Sequence, residues 1–139
     1  DNAGVGYFDV NQRSGWRWNT SKAFLRPAKN RPNLTIWTEA QAEKLLTERL
    51  GDGALRCAGV RVNRSGKPVD VGAKKEVVLS AGAVNSPQIL QLSGMGPAEL
   101  LRQHGIEVVK DIPHVGENLQ DHLQIRAVYK VKGTKTLNT

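Results

Sequence analysis

Apolar and polar positions change rhythm several times along the chain, and each change predicts an element. Over 1–15 Gly, Asn and Asp dominate and only Val5, Tyr7, Phe8 and Val10 offer apolar anchors, which predicts loop. RWNTSKAFLRP, 17–27, predicts a short helix with Asn19 or Thr20 as cap, Ala23, Phe24 and Leu25 as apolar face, and Pro27 beyond its end. NRPNLTIWT, 30–38, alternates Leu34, Ile36 and Thr38 against Thr35 and Trp37, which predicts a strand.

Local signals conflict in EAQAEKLLTERL, 39–50. Its Ala, Gln, Glu, Lys and Leu are strong helix formers, and Ala42, Leu45 and Leu46 fit a helical stripe. A weaker alternation of Ala40, Ala42 and Lys44 against Gln41, Glu43 and Leu45 reads as a strand.

Past the Gly51–Gly53 turn, Ala58, Val60 and Val62 alternate with Gly59 and Arg61; Ser65-Gly66 makes a hairpin turn, and Pro68 consigns the return strand to a sheet edge. The run Val77, Val78, Leu79 predicts a strand covered on both faces. Ser86 then caps a helix with Pro87 in its first turn; Ile89, Leu90 and Leu92 face inward and Gly94 ends it. Pro97 opens a second helix closed by Gly105, and IEVVKDIP, 106–113, predicts another buried strand. Strand, helix, helix, strand is an α/β pattern, so the expected architecture is a mixed sheet with packed helices.

Composition narrows the function classes. The 139 residues fit one domain, and 39% hydrophobic content supports a modest core. Twenty basic against 13 acidic residues leave a net charge of +7, which suits an anionic partner, but the basic residues are dispersed and aromatics reach only 5%. A nucleic-acid interface is therefore not expected. Cys57 is the only cysteine, which excludes an intrachain disulfide and a thiolate zinc cluster and points to a reducing compartment. No apolar run reaches the roughly 18 residues of a membrane span, and the first residues lack a secretory pattern. The expected localisation is cytoplasmic, with peripheral membrane association as the alternative. The opening lacks Met and lies within turn-like sequence, so the chain reads as a piece of a longer one.

A strand running into Ala81-Gly82 at a helix start would bring backbone N–H groups to an anion; tight strand-to-helix packing explains the same glycine. The G-x-G-x-x-G of a dinucleotide loop is absent, and GVGYFD and SGMGPAEL only imitate fragments of it. His104, His114 and His122 do not pair at metal-ligand spacing, so no metal is expected. His104 suits a helix C-terminus, His114 an exposed turn, and His122 a hydrogen-bonded structural cluster with Asn118, Gln120 and Asp121. Ser80, Ser86 and Ser93 have no evident base, so a hydrolase triad is unsupported.

Three stretches together resemble the glucose-methanol-choline (GMC) flavoprotein oxidoreductases, with choline dehydrogenase-like members the nearest in look. SAGAVNSPQILQLSGMGP, 80–97, resembles the family's second signature; GENLQDH, 116–122, its next hallmark; and GWRWNTSKAFLRPAKNRPNLTI, 15–36, its preceding one. The resemblance implies a partial FAD-binding domain: 1–122 within it, with 1–30 as an alternative return from the substrate domain, and 123–139 opening the substrate-binding domain. It implies FAD as cofactor and an alcohol substrate for the intact parent, by hydride transfer to the flavin.

The resemblance also implies an extended conformation for the segment around Ala42, whose backbone would meet the adenine end of FAD. A sheet partner can override about 1 kcal/mol of helix preference, so a strand is expected there. Gly82 and Ala83 match the strand end that approaches the cofactor, and Ser86 and Pro87 the start of the adjoining helix. The family's dinucleotide fingerprint and catalytic histidine have no counterpart here, and His122 belongs to the NLQDH element. No catalytic residue is therefore assigned. The segment by itself is expected to be inactive and prone to self-association. The competing reading is a basic nucleotide- or polyanion-binding module without catalysis.

Overall fold

The computed structural model describes Gly6 and residues 9–135. Chain contacts separate two compact units, divided after Ala40. Val5, Tyr7 and Phe8, three of the anchors expected in the opening loop, lie outside the described residues.

The first unit holds a hairpin where loop was expected. β1 (Gln12–Arg13) pairs antiparallel with β2 (Trp16–Arg17) in the register Gln12↔Arg17 and Arg13↔Trp16. Ser14 and Gly15 both take positive φ, 51° and 76°, the geometry of a two-residue turn whose twist matches the strands. Arg13 stacks over the Trp18 ring at 5.2 Å, and Lys22 lies 6.0 Å from the Trp16 ring. Asn19 caps the helix that follows: its Oδ1 accepts from the Lys22 backbone N–H at 3.0 Å.

That helix begins with a π turn, Ser21–Leu25, and continues as α1 (Arg26–Ala28), so Pro27 lies inside it rather than beyond it. The Arg26 N–H reaches back to the Ser21 carbonyl, a five-residue step, and a proline directly after it sits in the first turn of α1, where an N–H is dispensable. The strand expected over 30–38 does not form. No strand among the described residues pairs with it, and an extended segment gains ladder hydrogen bonds only from a neighbour.

The second unit begins with the segment of conflicting signals, and the strand wins. β3 (Ala40–Arg49), β4 (Leu55–Arg64) and β5 (Lys67–Gly72) form a sheet in the order β3-β4-β5. Pairing to β4 gives β3 ladder hydrogen bonds along one edge and overrides its helix propensity. The loop between them closes through Leu50 N–H to Ala54 O at 2.9 Å, and Arg56 binds Glu48 across it at 2.8 Å. β4 and β5 pair antiparallel from Gly59↔Gly72 to Arg64↔Lys67 around the Ser65-Gly66 turn, and Pro68 sits on the edge strand as expected.

Val77–Leu79 forms no strand among the described residues, and Val78 is 77% exposed rather than covered. α2 (Gly82–Leu92) starts a turn earlier than the sequence pattern places it. Ser86 is therefore not its cap; Ser86 Oγ accepts the Ala81 N–H at 3.0 Å, and Pro87 lies inside the helix. Ile89 is buried, but Leu92 is 46% exposed and does not face inward. Gly94, at φ 80°, ends the helix as expected.

β6 (Met95–Gly96) pairs parallel with β7 (Lys110–Asp111), all that forms of the strand expected over 106–113. Between them α3 (Ala98–Gln103) is closed by Gly105, with the Ile106 N–H returning to the Leu101 carbonyl at 2.9 Å. Asp111 Oδ1 accepts the Ala98 N–H at 3.0 Å, so β7 caps α3 from across the fold. The α/β character and packed helices hold, while the sheets are separate rather than one mixed sheet.

The described core is small. Ile89 and Leu101 are its buried apolar side chains, with Ser93 buried between the elements. From Glu117 to Lys135 the chain is exposed and without helix or strand. Among the described residues the cluster expected around His122 is not assembled: Asp121 Oδ1 accepts from its neighbour, the His122 backbone N–H, and Leu123 is 94% exposed. Residues 136–139 of the expected substrate-domain segment lie outside the described part.

Candidate functional site

The α2 helix presents Val84, Pro87, Gln88 and Gln91 at three- and four-residue spacing, the positions that share one helix face. That face, with Ala83, forms one side of an open cleft of about 500 Å³; Gly116, Glu117 and Leu119 form the other. The opposing wall follows β7, where Ile112 N–H binds Gly96 O at 2.9 Å and the chain turns through Val115 N–H to Ile112 O. Gln91 ties the two sides: its Nε2 donates to the Val115 carbonyl at 2.9 Å.

At the N-terminal end of α2, Ala81 provides no side-chain cap. Gly82 takes φ 92°, and the space a Cβ would occupy there is open. First-turn N–H groups of a helix have no intrahelical acceptor and carry the positive end of its dipole. Exposed Gly82 and Ala83 leave room for a ligand to approach them. These residues fit an anionic group of a cofactor entering beside the cleft.

The structure treats the five expected cofactor residues differently. Ala83 and Pro87 line the cleft, and Gly82 stands at the helix start beside it. Ser86 turns its hydroxyl back to the Ala81 N–H. Ala42 lies on β3 and is not among the cleft-lining residues; the Gln41 amide approaches its carbonyl at 3.4 Å. The strand bearing Ala42 is fixed to the other end of α2, where Leu45 N–H donates to Ser93 Oγ at 2.8 Å.

Gly116, Glu117, Leu119 and Gln91 were not among the expected site residues. The GENLQDH hallmark was the available signal for the first three, and the 84, 87, 88, 91 spacing for Gln91. His104 is the C-terminal cap residue of α3, and His114 lies in an exposed turn, 3.0 Å from Glu117. An ion pair joins β4 and β5 away from the cleft. Arg61 binds Asp70 through two contacts of 2.7 Å, holding the carboxyl below its ordinary value mainly by hydrogen bonding and raising the guanidinium. Among the described residues no group of His, Cys, Asp and Glu could hold a metal ion, and no helix is long and apolar enough to cross a membrane.

Residues 1–124 match the family model described as GMC oxidoreductase, and the chain belongs to that family. Over 122 residues it is 48% identical to an alcohol dehydrogenase [acceptor] of Pseudomonas putida and 46% to the mitochondrial choline dehydrogenase of Homo sapiens. Each alignment covers 88% of this chain but only 22% and 20% of those proteins, so the chain spans about a fifth of their length. Among solved structures it is similar to a formate oxidase, with TM-score 0.62 and 40% identity over 68% of this chain and 16% of that one. It is also similar to an FAD-dependent oxidoreductase of Chaetomium thermophilum, with TM-score 0.63 and 32% identity over 70% of this chain and 16% of that one. The fold is thus a part of the GMC FAD-binding region, and FAD is the cofactor that goes with it.

Proposed function

We propose that this chain is part of an FAD-dependent oxidoreductase that oxidises the CH–OH group of an alcohol, with choline-like donors the leading class. The observation that carries the reading is the cleft itself. It brings Ala83 and Pro87 of one family hallmark against Gly116, Glu117 and Leu119 of another, far apart in sequence. Similarity to alcohol and choline dehydrogenases supports the substrate class.

In the proposed division of labour, the N–H groups at Gly82 and Ala83 bind an anionic part of the cofactor, and Pro87 supplies a rigid apolar surface. Ser86 acts indirectly, holding Ala81 at the helix entry. The backbone at Ala42 meets the adenine end, which requires an elongated ligand with a second contact outside the cleft. Bound FAD supplies the hydride acceptor. This chain contributes binding and orientation, and none of its residues is assigned a catalytic step.

Residues 1–122 are proposed to lie in the FAD-binding domain and 123–139 to open the substrate-binding domain. Leu123, Ile125, Ala127, Tyr129 and Val131 alternate with Gln124, Arg126, Lys130 and Lys132, interrupted by Val128 on the polar face, a strand-like pattern that has no sheet partner among the described residues. Left uncovered, such a strand self-associates. Light scattering over a concentration series is expected to show association of the isolated chain; a monomer throughout overturns that.

Titration with FAD, followed by calorimetry and flavin fluorescence, tests the functional reading. The isolated chain has no G-x-G-x-x-G cradle and is expected to bind weakly or not at all and to oxidise nothing. The intact enzyme is expected to retain FAD and reduce it with an alcohol. An intact protein that neither holds FAD nor oxidises any alcohol overturns the reading. The competing polyanion-binding module rests on the net charge of +7 and would show a steep salt dependence of RNA or DNA affinity.

A further inference from the structure

We infer that Gln91 is a positioning residue that sets the width of the cleft by holding its 115–119 wall against α2. The inference rests on the proposed cofactor role of this cleft and adds a residue that does not itself react.

Three observations converge on one side chain. Gln91 Nε2 donates to the Val115 carbonyl at 2.9 Å, and among the described residues this is the side-chain hydrogen bond that joins α2 to the wall. The two glycines beside it leave space only for this contact. A Cβ on Gly116 would stand 2.8 Å from Gln91 Nε2, and a Cβ on Gly96 would stand 2.9 Å from Gln91 Cγ. Side chains at either position would push the glutamine out of its slot. Gly116 also takes φ 92°, a conformation that other residues rarely adopt.

The Ile112 N–H bond to Gly96 O anchors the start of the wall, and beyond it the 115–119 stretch is sparsely held. Val115 is half-buried, whereas Gly116 to Leu119 are exposed, and Leu119 is 70% exposed. Its own hydrogen bonds are local, from Val115 N–H to Ile112 O and from Glu117 N–H to His114 O. Local bonds shape a turn but do not fix its distance from a helix. The Gln91 amide does so, because it spans from the helix backbone to the turn backbone.

The hydrogen-bond donor is the critical element, which separates positioning from mere packing. Gln91→Leu keeps most of the volume and removes the donor. Gln91→Glu keeps the shape; its protonated form can donate to the Val115 carbonyl, whereas its carboxylate repels that oxygen.

The test compares wild type, Gln91→Leu and Gln91→Glu in the intact enzyme. It reads amide hydrogen exchange over 115–119 and the FAD dissociation constant. Gln91→Leu is expected to speed exchange at Val115 and Glu117 and to weaken FAD binding, each by roughly fivefold, the effect of one neutral hydrogen bond. Gln91→Glu is expected to match wild type at pH values below the carboxyl pKa and to resemble Gln91→Leu above it, each ratio taken at equal pH.

That pH-dependent rescue occurs within one variant, so a pH-independent folding defect cannot imitate it, and Gln91→Leu, which carries no charge, separates loss of the donor from burial of a carboxylate. Wild-type exchange in both variants at every pH overturns the inference, whether or not FAD binds. Altered exchange with unaltered FAD affinity also overturns it, because the wall would then not matter to the cofactor. Failure of wild type to bind FAD overturns the functional reading separately, and with it the cofactor role assigned to Gln91.

Discussion

Ser93 Oγ accepts the Leu45 backbone N–H at 2.8 Å while donating to the Ile89 carbonyl, so one buried hydroxyl joins β3 to the last turn of α2. The Ser93 hydroxyl thus links the strand bearing Ala42 to the helix bearing Ala83 and Pro87. Ser93→Ala would leave a part-buried N–H without its acceptor. The expected cost is about 1–3 kcal/mol in urea denaturation, together with faster hydrogen exchange at Leu45. An unchanged midpoint and unchanged exchange would show that the contact is incidental.

Gly94 and Gly66 share a φ of 80°, but their surroundings differ. A Cβ at Gly94 would run into the Glu107 carbonyl and approach Val109 Cγ2 to 2.7 Å; at Gly66 it would meet open space. Gly66→Ala should therefore cost only the left-handed backbone penalty, about 1–2 kcal/mol. Gly94→Ala should cost more by at least about 1 kcal/mol, since its neighbours include backbone that cannot move aside. Equal losses in chemical denaturation would contradict the structure.

Arg61 holds the Asp70 carboxyl below its ordinary value of 3.8. A carboxyl with a depressed folded-state pKa adds stability above 3.8, and that stability is lost as pH falls through the lowered value. Asp70→Asn should therefore be less stable than wild type at neutral pH, and the gap should close in acid. Both side chains are well exposed, so the gap is small and shrinks with added salt. Denaturation midpoints of the two proteins across pH check this, and a gap that widens in acid would refute it.

Ala83 sits in the first turn of α2 and lines the cleft. Ala83→Glu places a carboxylate where the helix dipole favours it, so stability should be unchanged or slightly higher, by up to about 1 kcal/mol. The same carboxylate occupies the position proposed for an anionic group of the cofactor. FAD affinity of the intact enzyme should fall roughly tenfold or more, the effect of about 1.4 kcal/mol. Titration and thermal melting of one variant then give opposite signs; unchanged affinity would place the cofactor elsewhere.

The local elements legible in sequence were those decided within a few residues. The Ser65-Gly66 turn, the Asn19 cap and the glycine stops at Gly94 and Gly105 depend on backbone conformations that particular side chains favour nearby. The family was legible as well, because three spaced motifs carry more information than any one of them, and the family match over 1–124 bears that out. The cleft was half legible: Ala83 and Pro87 were named from their motif, while the wall opposite was not.

Tertiary structure decided what depended on a distant partner. Ala40–Arg49 is a strand because β4 supplies its hydrogen bonds, against a composition that favours helix. Val77–Leu79 is apolar enough for a strand, yet finds no neighbour to pair with among the described residues. Asp111 caps Ala98, Ser93 receives Leu45, and Gln91 holds Val115, each across an interval that no local pattern encodes. Propensity describes what a segment prefers alone. A backbone or side-chain polar group removed from water takes whatever partner the fold brings to it, and that choice is made in three dimensions.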